Sequence, residues 1–289
     1  MKIGYYPGCS LLGSSREFDE SVRALAGAIG LELVQVPDWN CCGASSAHVL
    51  DHKLSLSLPA RILAQAEAAG LTEVLAPCAA CFNRLSSART ELEADPALRA
   101  EIAGIIDQPY SGRVKVVNVL EVLDRFQDTL KEKTVAPFGR KVACYYGCLL
   151  VRPPRVVAFD RPEDPESMDR LMAGVGAQPL AWNHKTECCG AAFSVTRTDL
   201  VARMSGRIVA GAAKAGAEAI VVACPMCHSN LDLRRPESNA LLGADHQLPV
   251  LFITQALGLA LGLDPARLGL QRHLVPALAL QTAAAGSRA

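Results

Sequence analysis

The sequence predicts an α/β protein of two Rossmann-like domains, related by internal duplication and a pseudo-twofold axis. Three observations predict it. Short apolar segments alternate with longer amphipathic ones throughout the chain, the pattern of βα units on a mainly parallel sheet. Landmarks recur at a constant spacing: Gly30 and Gly176, Gly70 and Gly216, Cys78 and Cys224, and Cys81 and Cys227 all lie 146 positions apart. Ten of the 11 cysteines also divide into two like sets, Cys9, Cys41, Cys42, Cys78 and Cys81, then Cys148, Cys188, Cys189, Cys224 and Cys227.

Taken in order, residues 3–6 form the first expected strand and 31–36 the second, with Gly30 ending the helix between them in a left-handed cap. Residues 74–77 follow Gly70 in the same way, and 116–117 precede a helix over 119–126. The second half repeats this with strands at 177–182 after Gly176, at 220–223 after Gly216 and at 250–252, then a helix over 255–261. The charged segment 131–140, with Pro137 and Gly139, is the expected division, giving domains 1–135 and 136–289. Residues 152–165 are rich in proline and charge and read as an irregular loop, a surface connection or a gate. The tail is expected to be irregular from about 270, and the Ala-, Gly- and Ser-rich stretch from 282 to fray.

Composition narrows the function. The 289 residues are 50% hydrophobic and 20% charged, a globular composition large enough for two cores. The formal net charge is zero, so nothing drives phosphate-backbone binding and no nucleic-acid partner is expected. The N-terminus lacks the charged lead and apolar run of a signal peptide. The longest uncharged stretch, 248–263, is short for a bilayer span and is interrupted by Pro249, Gln255 and Gly258. A cytoplasmic protein is expected, where thiols stay reduced and many cysteines signal metal or redox chemistry.

Most of these cysteines sit where a strand gives way to a helix: Cys9, Cys78 and Cys224 each follow an apolar run. Sites collect at this carboxyl edge of parallel sheets, and a helix start favours thiolate over thiol. Cys78 and Cys81 are spaced to chelate together, whereas adjacent Cys41 and Cys42 project apart and suit two metals or a bridge. Gly43 and Gly190 let the backbone approach an inorganic core or take a positive φ. Five thiols exceed the four of a tetrahedral zinc site and suit an iron–sulfur cluster with bridging thiolate. Zinc with a spare thiol in one half, dithiol exchange and structural cysteine are the alternatives.

The strings Tyr5-Tyr6-Pro7-Gly8-Cys9, Pro77-Cys78-Ala79-Ala80-Cys81 and Cys224-Pro225-Met226-Cys227-His228, with the duplicated Cys-Cys-Gly, resemble the cysteine-rich CCG-domain family. At full length the chain is similar to the B subunits of heterodisulfide reductases, over roughly residues 2–263. The resemblance implies a noncubane [4Fe-4S] cluster on each set of five cysteines and cleavage of a disulfide to two thiols between them. Cys9, Cys42, Cys148 and Cys189 are then catalytic as well as ligating. The resemblance also implies two partners in a complex, one an iron–sulfur subunit with cubane clusters, the other a flavin subunit. Its substrate would be a small-molecule or protein-bound disulfide. The alternative is a CCG electron-transfer subunit of a glycolate-, lactate- or succinate-dehydrogenase-like complex, without disulfide cleavage.

Other residues follow from position. His184, with Lys185, lies just before Cys188, and His228 just after Cys227; the two histidines are candidate proton donors to product thiolates. His48 and His52 are expected to share a helix face, as a solvated pair or a metal site. Trp39 and Trp182 precede the Cys-Cys pairs and would shield a cluster. Cys144 is expected to pack on a strand, a sixth ligand being the sharper possibility. No glycine-rich nucleotide loop is present, so any flavin belongs to a partner.

Overall fold

The computed structural model describes residues 1–44, 46–277 and Leu280. It holds two four-stranded parallel sheets with the same strand order. The first is built from β1 (Lys2–Tyr5), β2 (Glu32–Gln35), β3 (Glu73–Leu75) and β4 (Lys115–Val117), arranged β2-β1-β3-β4. The second is built from β5 (Lys141–Tyr145), β6 (Gln178–Pro179), β7 (Ala219–Val222) and β8 (Val250–Phe252), arranged β6-β5-β7-β8. The expected pair of like α/β domains is therefore present. Central strands are covered on both faces, which is why they read as continuous apolar runs: all four residues of β7 are buried.

This strand order decides where the site lies. The chain leaves β1 for β2 on one side, then crosses over so that β3 and β4 stand on the other. The crevice between β1 and β3 is thus a topological switch point, open at the carboxyl ends of the strands. Cys9 follows β1 and Cys78 follows β3; Cys148 and Cys224 follow β5 and β7 in the same relation.

The halves exchange equivalent contacts. The helix after β1, Arg16–Ile29, packs on Ile253–Ala260, the helix after β8. Reciprocally, Ser167–Gly174 after β5 packs on Val119–Asp124 after β4. At the first contact Phe18 stacks on Phe252, with centroids 4.1 Å apart and planes 5° from parallel. Beside them Ser21 Oγ and Thr254 Oγ1 share a buried hydrogen bond of 2.7 Å. Both phenylalanines are wholly buried. Phe18→Ala is expected to destabilise the protein by about 3–5 kcal/mol, through lost burial and the cavity left behind. Urea unfolding measures it, and a loss below about 1 kcal/mol would mean that the halves hold together without this stack.

The segment after residue 270 is irregular, as expected, beyond a single 3₁₀ turn at Leu270–Arg272. It is nevertheless packed down: Leu268, Leu270, Val275 and Ala277 are buried, and Arg272 Nη2 reaches Glu20 Oε1 at 2.8 Å. The fraying expected from 282 falls outside the described residues.

The expected histidine pair is not formed. His48 and His52 do not share a helix, because Asp51 separates Ala47–Leu50 from His52–Ala68. Asp51 is extended (φ −157°, ψ 135°) and its carboxylate accepts the Leu54 N–H at 2.7 Å, capping the second helix. His52 Nε2 instead lies 2.6 Å from Glu91 Oε1 on the surface. Among the described residues no helix is long and apolar enough to cross a membrane.

Candidate functional site

Each half gathers its five cysteines at the carboxyl edge of its sheet. Cys9 lies in the short helix Gly8–Leu12, while Cys78 and Cys224 are the N-cap residues of Ala79–Ala94 and Pro225–Asp232. Cys148 differs: successive turns follow it up to Ser167, and Pro153, Pro154, Pro162 and Pro165 keep that stretch from becoming helical. Asn83 ties this loop to the first half through Leu149 O (3.2 Å) and Arg152 O (2.8 Å). Reciprocally, the Gly8–Leu12 helix touches Pro225–Asp232 of the second half.

All ten thiols are free of disulfides. Cys42, Cys78, Cys81, Cys189, Cys224 and Cys227 are buried; Cys9, Cys41 and Cys188 are exposed and Cys148 is half-buried. Cys42 and Cys81 Sγ are 3.3 Å apart. Cys81 and Cys78, Cys78 and Cys224 across the two halves, Cys224 and Cys227, and Cys227 and Cys189 are each close enough to shift one another's protonation. A continuous row of sulfurs therefore runs from one half into the other.

Crowding of this kind divides the protons unevenly. Hydrogen bonds from Cys41 and Cys81 bring Cys42 down to about 3, and Cys41 is raised in exchange. In the second half Cys148 donates to Cys188, which falls to about 6, while Cys148 rises. Cys224, accepting from Cys227 and Cys78, is held well below the ordinary thiol range. Thiolates packed so closely require positive charge to coexist, which a metal centre supplies.

The backbone leaves room for such a centre. Gly8 and Gly147 have φ of +65° and +67°, and a Cβ on either would stand 3.0 Å from Cys81 Sγ or 2.9 Å from Cys227 Sγ. Gly43 and Gly190 also take positive φ, as expected, and their N–H groups point at Cys41 Sγ (3.4 Å) and Cys188 Sγ (3.3 Å). Soft thiols, glycine approaches and sulfur-directed N–H groups fit an iron–sulfur group. Among the described residues no three His, Cys, Asp or Glu side chains converge as ligands of one ion.

Two tyrosines and an asparagine complete the surroundings, and sequence reasoning missed all three as site residues. Tyr6 Oη donates to Asn40 O at 2.9 Å and Tyr145 Oη to Glu187 O at 2.6 Å, in each case the carbonyl just before the Cys-Cys pair. Burial, followed by the nearby thiols, pushes both phenols far above their ordinary pKa, so both stay protonated. The repeated tyrosine, three residues before the first cysteine of each set, was the available signal. Asn230 Nδ2 lies 3.4 Å from Cys189 Sγ, and no feature of the sequence marks it.

Several expected residues sit elsewhere. His228 is buried, stacks on Phe252 at 4.4 Å and bonds Val250 O at 3.1 Å, about 100° round the helix from Cys227. Burial, and then the neighbouring His273, hold it neutral. His184 packs against Gly211 and Trp182, with Nδ1 3.0 Å from Glu187 Oε1 but out of line for a hydrogen bond. Among the described residues neither histidine bonds a cysteine. Lys185 pairs with Asp164 and Asp169. Trp39 meets Tyr6 edge-on at 5.4 Å, and Trp182 Nε1 donates to Cys144 O at 3.1 Å. Cys144 is fully buried, and burial raises its pKa. It neighbours Tyr145 on β5, and strand alternation turns its side chain to the opposite face from the tyrosine, which lies beside the second set of cysteines.

A duplicated parallel α/β fold with thiols gathered at both switch points defines a class, the cysteine-rich CCG proteins. The family model described as a cysteine-rich domain matches twice, over residues 3–86 and 142–232, and the chain belongs to this family. It is 31% identical over 283 residues to the 8-methylmenaquinol:fumarate reductase membrane anchor subunit of Wolinella succinogenes, covering 96% of this chain and 99% of that one. It is 29% identical to the B subunit of the ferredoxin/F(420)H(2)-dependent CoB-CoM heterodisulfide reductase of Methanosarcina acetivorans, covering 95% and 94%. The corresponding B subunit of the ferredoxin:CoB-CoM heterodisulfide reductase of Methanosarcina mazei gives the same identity and coverage. Among solved structures, a hypothetical protein from Helicobacter pylori superposes with a TM-score of 0.75 at 13% identity, over 95% of this chain. The present chain spans about half (52%) of that one, and the likeness concerns the fold. Membership of this family supports an electron-transfer role in a multi-subunit oxidoreductase.

Proposed function

We propose that this chain is the iron–sulfur subunit of a heterodisulfide-reductase-like complex and reduces a disulfide to two thiols between its halves. Cys9, Cys41, Cys42, Cys78 and Cys81 would hold one [4Fe-4S] centre, of the noncubane type that the resemblance implies. Cys148, Cys188, Cys189, Cys224 and Cys227 would hold the other. The observation that carries the reading is the juxtaposition of the two sets: the Gly8–Leu12 helix that bears Cys9 touches the Pro225–Asp232 helix that bears Cys227, and the buried Cys78 and Cys224 thiols influence each other's protonation. Such centres, when bound, supply electrons singly, whereas a disulfide takes two electrons and two protons. Two adjacent sets answer that mismatch. Exposed Cys9 and Cys41 leave the first set accessible, and Cys148 and exposed Cys188 do so for the second. Cys42 and Cys189 lie beneath them, and the protons would come from solvent at this open edge. Electrons would come from a second iron–sulfur subunit, itself fed by a flavin subunit.

The relative from Wolinella succinogenes favours a second reading, in which the chain relays electrons in a fumarate-reductase-type complex without cleaving a disulfide. Iron and acid-labile sulfide analysis of anaerobically purified protein tests what the two readings share. About eight irons per chain is expected from two four-iron centres, and zinc without iron would overturn both. Dye-driven reduction of small and lipoyl-type disulfides separates them. Rapid reoxidation of the reduced chain by a disulfide supports the first reading, and its absence supports relay.

A further inference from the structure

We infer that Asn230 makes the two metal centres unequal, holding the second-half centre at the higher reduction potential. This rests on the iron–sulfur reading above and concerns a residue of this chain that is no ligand. Asn230 is buried, 3% exposed, on the helix that begins after Cys224. Its Nδ2 donates to Cys189 O at 3.2 Å and to Cys189 Sγ at 3.4 Å. Its orientation is fixed from both ends. Cys189 O can only accept, so it requires the amide nitrogen, and Ser194 Oγ donates to Asn230 Oδ1 at 3.0 Å. Ser194 is held in turn by Arg234 Nη2 on its carbonyl at 3.2 Å.

The first half lacks this donor. The position 146 residues earlier is Arg84, whose buried Nε has no partner among the described residues. Cys42, the counterpart of Cys189, faces Cys81 Sγ at 3.3 Å; the Tyr6 phenol stands beside it as Tyr145 stands beside Cys189, but among the described residues no side-chain amide reaches it. A hydrogen bond to a ligating sulfur draws negative charge from it and favours the reduced, more negative form of the centre. The second-half centre therefore takes electrons more readily than the first.

Redox titration of anaerobically purified protein, followed by electron paramagnetic resonance, tests this with Asn230→Leu. The expected result is one of two potentials moving negative and the other unchanged, at unaltered iron content. Ser194→Ala, which frees the amide without removing it, is expected to move the same potential by a smaller amount. If Asn230→Leu sheds iron, Ser194→Ala alone decides. Potentials that stay put in variants with full iron, or that move together, overturn the inference and leave the proposed function standing. An unmodified chain without iron overturns both.

Discussion

Cys81→Ser protein, prepared without air, is expected to hold about half the iron of the unmodified chain, and Cys227→Ser the complementary half. Cys81 is buried, lies 3.3 Å from Cys42 Sγ and meets Cys78, so it joins the Cys-Cys pair to the Cys-x-x-Cys helix. Cys227 joins Cys189 to Cys224 in the same way. A serine hydroxyl at either position is a poor thiolate substitute for a soft metal. Turnover should fall by on the order of 100-fold or more in each variant, since a two-electron reaction shared between two centres fails when either is missing. Iron analysis with electron paramagnetic resonance of the reduced proteins measures both effects. Full iron in both variants would remove these cysteines from the ligand set and the proposed function with them.

Gly147→Ala is expected to lose the second-half centre without touching a ligand. Its φ is +67°, and the added Cβ would stand 2.9 Å from Cys227 Sγ, closer than a real Cβ tolerates. The left-handed backbone alone costs roughly 1–2 kcal/mol with a side chain present. The remainder of the effect falls on the sulfur, which must move. Gly216→Ala separates the two contributions: its φ is +83°, yet nothing lies within 4 Å of its Cβ position. Both variants should lose similar backbone stability in urea, but Gly147→Ala alone should lose about half of its iron. Equal iron retention would mean that the Gly147 approach does not shape the site.

Much of this was legible in the chain because duplication writes each feature twice. The 146-residue spacing of Gly70 and Gly216 marks equivalent helix ends, and both precede central strands, β3 and β7. Most expected strands fell within a residue or two, since buried parallel strands are continuous apolar runs, but of 177–182 only Gln178–Pro179 pairs, and β5 was given no bounds in advance. What escaped was what depends on side-chain direction. His228 follows a cysteine in sequence, but one residue along a helix turns it towards Phe252. His48 and His52 have helical spacing, but Asp51 uses its carboxylate as a cap and breaks the run. Asn230 has no motif at all, because its role arises from a loop that folds back with Ser194 to meet it. Cys144 shows the opposite case: left over from both repeated sets, it was expected to pack on a strand, and it lies buried on β5.

The cross-packing of the halves bears on how such a chain can be cut or combined. The turn bearing each first cysteine leans on the other half's Cys-x-x-Cys helix, seen in the Asn83 bonds on one side and in the Gly8–Leu12 contact on the other. A single repeat expressed alone would expose that surface and leave its thiol pocket unwalled. Two copies could restore it only by facing each other in a closed isologous dimer. The tandem arrangement fixes that partnership within one polypeptide and frees the two copies to diverge, so that an arginine can stand where its counterpart carries an amide.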